Sequence, residues 1–420
     1  MPPELLRQVR LIEPNEAVDR IVDVLVGADA VLAIANQLET IPDSTQIRDG
    51  EGLVLAPGLV DLYSHTGEPG FESRETLADL VLGAQAGGFT RLGLLPDTDP
   101  VCDSPDQVAG IQQRLPTPCP VQVYSWGALT QGIGGQQLVD LAELAKTSIV
   151  GFSDGRPLNQ LVLLRRLLEY LAPFQLPIAL WPCQIDLAGD GVAREGIQSL
   201  QAGLPENPTL SETTALAALL ELLAHIPTPV HLMRISTARS VELVRQAKAR
   251  GLQITASVSW MHLIWNSAKL ATYDPNFRLD PPLGNPRDQQ ALLAGLEDGT
   301  LDAIALDHQA YTFEEKAVSF AEAPPGVIGL ELALPILWQT FVATQRWHPL
   351  DLWRYLSHQP ALCLNQPPPQ VRVGHPPEML LFDPNQTWTV TAATLKSPGL
   401  NTPWLNHTLM GRVLQTWCPK

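Results

Sequence analysis

Residues 55–70 read Leu-Ala-Pro-Gly-Leu-Val-Asp-Leu-Tyr-Ser-His-Thr-Gly-Glu-Pro-Gly, and the reading of this stretch decides the fold. An apolar run, broken by Pro57-Gly58, leads into Asp61 and then His65. A hydrophobic strand that ends in polar residues is how a parallel α/β barrel presents side chains at its active face. Outward from this stretch, further strand candidates cover 90–95, 121–126, 148–152, 178–181, 230–233, 253–258 and 302–306, with 59–63 as the first. Apolar residues at helical spacing fall between several of them, over 77–86, 138–145, 161–171, 211–224 and 240–249. Eight strands alternating with helices fit a (β/α)8 TIM barrel in an α/β chain. No glycine-rich phosphate loop follows the first strand, which argues against an open doubly wound sheet.

Both ends of the chain read differently. Short strand candidates at 9–12, 17–26, 30–35 and 47–54 precede the barrel, with Asp49-Gly50-Glu51-Gly52 as a tight turn. Others at 379–382, 388–390 and 409–416 follow it. The expected organisation is a small β domain built from both termini (1–56 and 365–420) around a barrel at 57–364. The proline-rich stretch 365–376 is expected to link barrel and β domain.

Composition bounds the partners. The 420 residues are 45% hydrophobic and 17% charged, which is globular and not disordered. A net charge of −17 repels phosphates, so neither nucleic acid nor an anionic membrane is an expected partner. No apolar run is long enough to span a bilayer. The five cysteines are scattered without CxxC spacing, so no disulfide framework is expected. Met-Pro-Pro-Glu-Leu-Leu-Arg at the start lacks a basic-then-apolar signal pattern, and the expected location is cytoplasmic.

The strand ends carry Asp61, Tyr63, His65, Asp97, Asp154, Cys183, His231, Arg234, Ser257, His262, Asp307 and His308. A hydrolytic metal site needs several histidines and carboxylates converging on one point. The candidates are His65, Asp154 and Asp307. Each has a plainer reading: a core histidine, a turn or cap residue, and a salt-bridge partner. His231 and His262 read as satisfied polar groups, and Cys183, with no histidine placed as its base, as an inert thiol.

Ordered motifs then narrow the reading. Pro57-Gly58-Leu59-Val60-Asp61, Glu68-Pro69-Gly70-Phe71-Glu72, Ala86-Gly87-Gly88-Phe89-Thr90, Phe152-Ser153-Asp154-Gly155, Leu306-Asp307-His308 and Ala323-Pro324-Pro325-Gly326-Val327 resemble the dihydroorotases of the amidohydrolase superfamily, nearly end to end. The resemblance implies a metal-dependent hydrolase barrel with a small β domain and a place in pyrimidine biosynthesis. It makes Asp307 the catalytic remnant and Asp97 and His308 the substrate-binding candidates. Several family positions are substituted. Tyr63, Trp181 and Arg234 stand where the family has metal-binding histidines, Gly67 where it has a substrate-binding arginine, and Tyr311 at the last histidine of its eighth-strand motif.

Those substitutions have physical meaning. The Trp181 indole has no lone pair to give a metal. The Arg234 guanidinium is permanently cationic and repels a metal ion. Arg234 is expected to pair with Asp61, Asp154 or Asp307, putting a fixed charge where the metal would sit. Asp97 replaces an asparagine and repels the dihydroorotate anion. The resemblance therefore implies a dihydroorotase-like protein that has lost catalysis, needs no cofactor, forms a homo-oligomer and is a structural partner of aspartate transcarbamoylase. The alternatives are an active zinc-dependent dihydroorotase or hydantoinase-like hydrolase using His65, Asp154 and Asp307, and a ligand-sensing barrel reshaped by Tyr63, Trp181 and Trp260.

Overall fold

A computed structural model describes residues 2–419. Five strands open the chain: β1 (Glu4–Glu13), β2 (Val18–Val26), β3 (Val31–Ala35), β4 (Gln46–Asp49) and β5 (Val54–Pro57). Five more follow: β6 (Leu59–Ser64), β7 (Phe89–Leu94), β8 (Gln122–Gly127), β9 (Ile149–Phe152) and β10 (Ala179–Leu180). A small excursion contributes β11 (Ala193–Arg194) and β12 (Glu206–Asn207), before β13 (Val230–Leu232), β14 (Ile254–Ser259) and β15 (Ala303–Ala305). Two long strands, β16 (Met379–Thr389) and β17 (Thr408–Trp417), end the chain.

The terminal strands form one sheet in the order β17-β16-β5-β1-β2-β3, with β4 also on β1. This is the β domain built from both termini. It joins the barrel through a buried bidentate pair: Arg91 Nε and Nη2 donate to Glu378 Oε1 and Oε2 at 2.7 and 2.8 Å.

The barrel strands are parallel in two runs, β6-β7-β8-β9 and β10-β13-β14-β15. A parallel bridge between Phe152 and Ile178 joins the runs on one side. On the other side, the buried Asp61 carboxylate closes the ring. It accepts the Leu306 N–H at 3.0 Å and the Ser64 hydroxyl at 2.6 Å. His65 N–H adds a bond to His308 O at 2.8 Å. Burial pushes the Asp61 carboxyl up to about 7. Asp61 thus latches first strand to last and is not a partner of Arg234. Strands covered on both faces are mostly apolar; β6, β7 and β9 are buried at every residue, and the polar members Asp61, Ser64, Thr90 and Arg91 are hydrogen-bonded.

The helices at Leu77–Ala86 and Leu161–Leu171 match their expected ranges. Three expectations need correction. The 47–54 run is two strands, β4 and β5, each parallel to β1. The turn between them is pinned to the same strand by Gly50 N–H donating to Arg7 O at 2.7 Å. The tail runs at 379–382 and 388–390 are the one strand β16, whose register breaks between Asp383 and Thr387, around Pro384. Proline cannot donate to the ladder, so it sits in an irregularity. Finally, 365–376 is no free linker. Val371 N–H donates to Glu13 Oε2 at 2.8 Å, and Val31 N–H to His375 O at 2.9 Å.

Candidate active-site cavity

The carboxyl ends of the barrel strands surround a cavity of about 180 Å3. Its wall includes His65, Asp97, Asp154, Trp181, Arg234 and Asp307. Arg234 follows β13 and Asp307 follows β15. Both adopt left-handed backbone, with φ of 55° and 51°. That conformation is strained for residues with a Cβ, by about 1–3 kcal/mol each. It turns the chain out of the strand just where the two side chains meet.

Their meeting is a two-point ion pair. Arg234 Nε donates to Asp307 Oδ2 at 2.7 Å and Nη2 to Oδ1 at 2.6 Å. Nη1 donates to the Gly155 carbonyl at 3.0 Å. The guanidinium carbon lies 4.6 Å from the centre of the Trp181 ring and 5.7 Å from that of Tyr63. Such faces attract a cation by about 0.5–2 kcal/mol. Burial would raise the Asp307 carboxyl, but Arg234 and His65 hold it well below the usual range.

His65 completes the cluster. Its Nδ1–H donates to Asp97 Oδ2 at 2.6 Å. Its Nε2 lies 3.2 Å from Arg234 Nη2 and 3.5 Å from Asp307 Oδ1. The guanidinium favours a neutral imidazole, and the two carboxylates favour a charged one. Burial also opposes the charge, yet Asp97 and Asp307 prevail and raise His65 to about 9. His65, Arg234, Asp97 and Asp307 thus make a neutral quartet of two cations and two anions at neutral pH.

Behind the quartet runs a relay of neutral groups. The Tyr63 hydroxyl accepts from Arg234 N–H at 3.2 Å and lies 2.9 Å from Ser257 Oγ. Ser257 Oγ lies 2.8 Å from His231 Nε2, and His231 Nδ1 2.9 Å from Thr255 Oγ1. Burial lowers His231 to about 3, so it stays neutral, as a satisfied core histidine should. Cys183 is pushed up by burial to about 12, which leaves it a thiol.

Two candidate residues do other work. Asp154 does not join His65 and Asp307 as a metal ligand. Its Oδ1 accepts Leu129 N–H and Thr130 N–H at 2.7 and 3.0 Å, and its Oδ2 the Thr130 hydroxyl at 2.6 Å. It holds the loop after β8. His308 does not line the cavity. Its Nε2 is 3.0 Å from Glu75 Oε2, and its Nδ1 accepts Gly329 N–H at 3.0 Å, all of it buried. The residues expected for zinc do not fit it. Among the described residues no three His, Cys, Asp or Glu side chains come together as a metal would require.

The positions that the resemblance marks as substituted are built into the fold. A Cβ on Gly67 would stand 2.4 Å from Glu75 O and 2.6 Å from Phe71 O, so the backbone has closed over the place of a side chain. Tyr311 lines the cavity and stacks on Arg74, whose guanidinium carbon is 4.9 Å from the ring centre. Arg74 in turn holds Glu315 in a forked pair, Nη2 at 2.6 Å from Oε1. Ser259, Asp280 and Gln309, which the sequence reading did not name as site candidates, also line the cavity. The available signal was position: Ser259 ends β14, and Asp280 opens Asp-Pro-Pro-Leu.

Comparison with known proteins fixes the family. The family model described as dihydro-orotase-like matches residues 52–161. The chain is 46% identical to a probable dihydroorotase-like protein of Synechocystis sp., covering 97% of this chain and 98% of that one. It is 34% identical to a dihydroorotase of Syntrophus aciditrophicus, covering 98% and 97%. The chain belongs to the dihydroorotase family. Among solved structures, the L-hydantoinase (dihydropyrimidinase) from Arthrobacter aurescens superposes with a TM-score of 0.84 at 20% identity, covering 99% of this chain and 94% of that one. The dihydropyrimidinase from Brevibacillus agri gives 0.83 at 17% identity, with the same coverage. At that identity the likeness concerns the fold: this dihydroorotase-family chain has the amidohydrolase TIM barrel. β6, which carries Tyr63 and leads into His65, is that barrel's first strand.

Proposed function

We propose that this chain is a non-catalytic member of the dihydroorotase family that serves pyrimidine biosynthesis as a structural partner of aspartate transcarbamoylase. The observation that carries the loss of catalysis is the Arg234–Asp307 pair. Hydrolysis in such barrels depends on a metal that turns water into a nucleophile near neutral pH. Here Arg234 occupies both oxygens of Asp307 and brings its own positive charge beside His65. The site reads as a degenerate metal centre in which a side chain supplies the charge a metal would. Gly67 and Asp97 also leave an anionic substrate without its arginine and facing a carboxylate.

The partner role rests on the family resemblance: a scaffold kept while its chemistry is lost has a use as a scaffold. A dihydroorotate hydrolysis assay tests the first part, with no turnover above a blank as the expected result. Co-purification with the aspartate transcarbamoylase of the same source, followed by a size measurement, tests the second. A stable mixed complex is expected, and its absence counts against the partner role. Turnover by the wild-type chain, lost in Asp307→Asn, would instead favour the active hydrolase.

A further inference from the structure

The relay behind the quartet ends at a second cavity, at the amino-terminal ends of β10, β13 and β14. Its volume is about 640 Å3, against about 180 Å3 for the cavity on the active face. Sites for drug-sized ligands span roughly 300–1,000 Å3. Leu171, Leu176, Pro229, Leu252 and Leu362 supply apolar wall, and no Asp, Glu, Lys or Arg lines it. Most of its polar lining is already engaged or faces solvent. Thr228 Oγ1 donates to Leu168 O at 3.2 Å and Asn365 Nδ2 to Gln175 O at 3.4 Å, while the Gln175 and Gln253 side chains are exposed.

Each group in the relay has one proton to place. Tyr63 is buried, its hydroxyl accepts Arg234 N–H, and Ser257 Oγ is its one acceptor among the described residues. Tyr63 therefore donates to Ser257, and Ser257 donates onward to His231 Nε2 at 2.8 Å. His231, held neutral by burial, carries its proton on Nδ1 and donates it to Thr255 Oγ1 at 2.9 Å. The proton of the Thr255 hydroxyl is left over. The side chain offered to it is the Cys363 thiol, a weak acceptor. Thr255 is half-buried and lines the cavity, so the relay brings one O–H donor to the wall of a charge-free, apolar space.

We infer that this cavity binds a neutral, mostly apolar small molecule through a carbonyl or ether oxygen that accepts the Thr255 hydroxyl. An ion of either sign would lose its hydration and meet no opposite charge on the wall. The cavity lies at the other end of the strands from the Arg234–Asp307 pair, and neither reading depends on the other. Fluorescence titration of the full-length chain uses the neutral naphthyl ketone Prodan as probe. Dimethylaminonaphthalene, which lacks the carbonyl, and the anionic anilinonaphthalene sulfonate are the controls. The ketone is expected to bind saturably, one per chain, with blue-shifted emission and at least about tenfold more tightly than either control. Thr255→Val keeps the side-chain shape and removes the donor. It is expected to weaken the ketone about tenfold and to leave the carbonyl-free control unchanged. Gln253→Trp, on the exposed rim, is expected to fill the cavity and abolish binding while the melting temperature stays put. If Thr255→Val does not fold, the wild-type preference for the ketone over its carbonyl-free control decides the point. No saturable ketone binding, equal affinity for either control, ketone binding indifferent to Thr255→Val, or ketone binding untouched by Gln253→Trp would overturn the inference.

Discussion

Arg234 is the residue on which the site turns. Replacing it by alanine strips Asp307 of both its donors inside a buried site, and breaking a buried pair from one side costs about 3–5 kcal/mol. Arg234→Ala is therefore expected to lower unfolding free energy by that order in a denaturant titration. His65 gives a pH signature. Its value in the folded chain, about 9, lies above the ordinary 6.5. Its contribution is complete below about 6.5 and is lost as pH rises through about 9, on the order of 3 kcal/mol in all. Stability measured from pH 6 to pH 10 should fall across that window, and His65→Gln should flatten the fall. Gly67 is a residue of packing. Gly67→Arg is expected to destabilise the chain by about 1–3 kcal/mol or more and to bring no affinity for dihydroorotate, because its Cβ meets backbone. At this scale the sequence showed Tyr63, Gly67, Trp181 and Arg234 at the positions the resemblance singles out. It also named Asp307 among three partners for Arg234. It did not tell that Glu75 claims His308 across 233 residues, or that Gly67 lies under closed backbone. Such contacts are set by tertiary closure, and local spacing carries no trace of them.

Elements explain why the barrel was legible and some helices were not. Strands buried on both faces give continuous apolar runs, which is why β6 and β7 lie within a residue of their expected bounds. The helix at Pro105–Arg114 is mostly polar, and the one at Pro286–Glu297 opens on a polar turn, so apolar periodicity is weak at their starts. Their signals were at the ends: Ser104 before Pro105, and Asn285, whose side chain accepts Asp288 N–H in a capping box. The 138–145 stretch has the opposite outcome, with only Leu141–Leu144 helical. A short apolar run satisfies the pattern without the length a helix needs. Between elements, Arg91 on β7 and Glu378 before β16 couple barrel to terminal sheet. Arg91→Ala leaves Glu378 buried without its partner. It should cost about 3–5 kcal/mol by thermal or denaturant unfolding, and more than loss of the exposed pair Arg245–Asp298, expected near 0–1 kcal/mol.

For the whole molecule, the barrel and the terminal sheet frame the active face. Asp61 still latches the ring and the terminal sheet is built from both ends of the chain, while the centre of the active face holds a guanidinium and its carboxylate. No helix among the described residues is long and apolar enough to cross a membrane. The central claim is that Arg234 stands in for a metal's charge. Metal analysis of the full-length chain, purified without chelator and dialysed against zinc, tests it most directly. The expected result is zinc far below one per chain, rising only when Arg234 is replaced by histidine. One tightly held zinc per wild-type chain would contradict it.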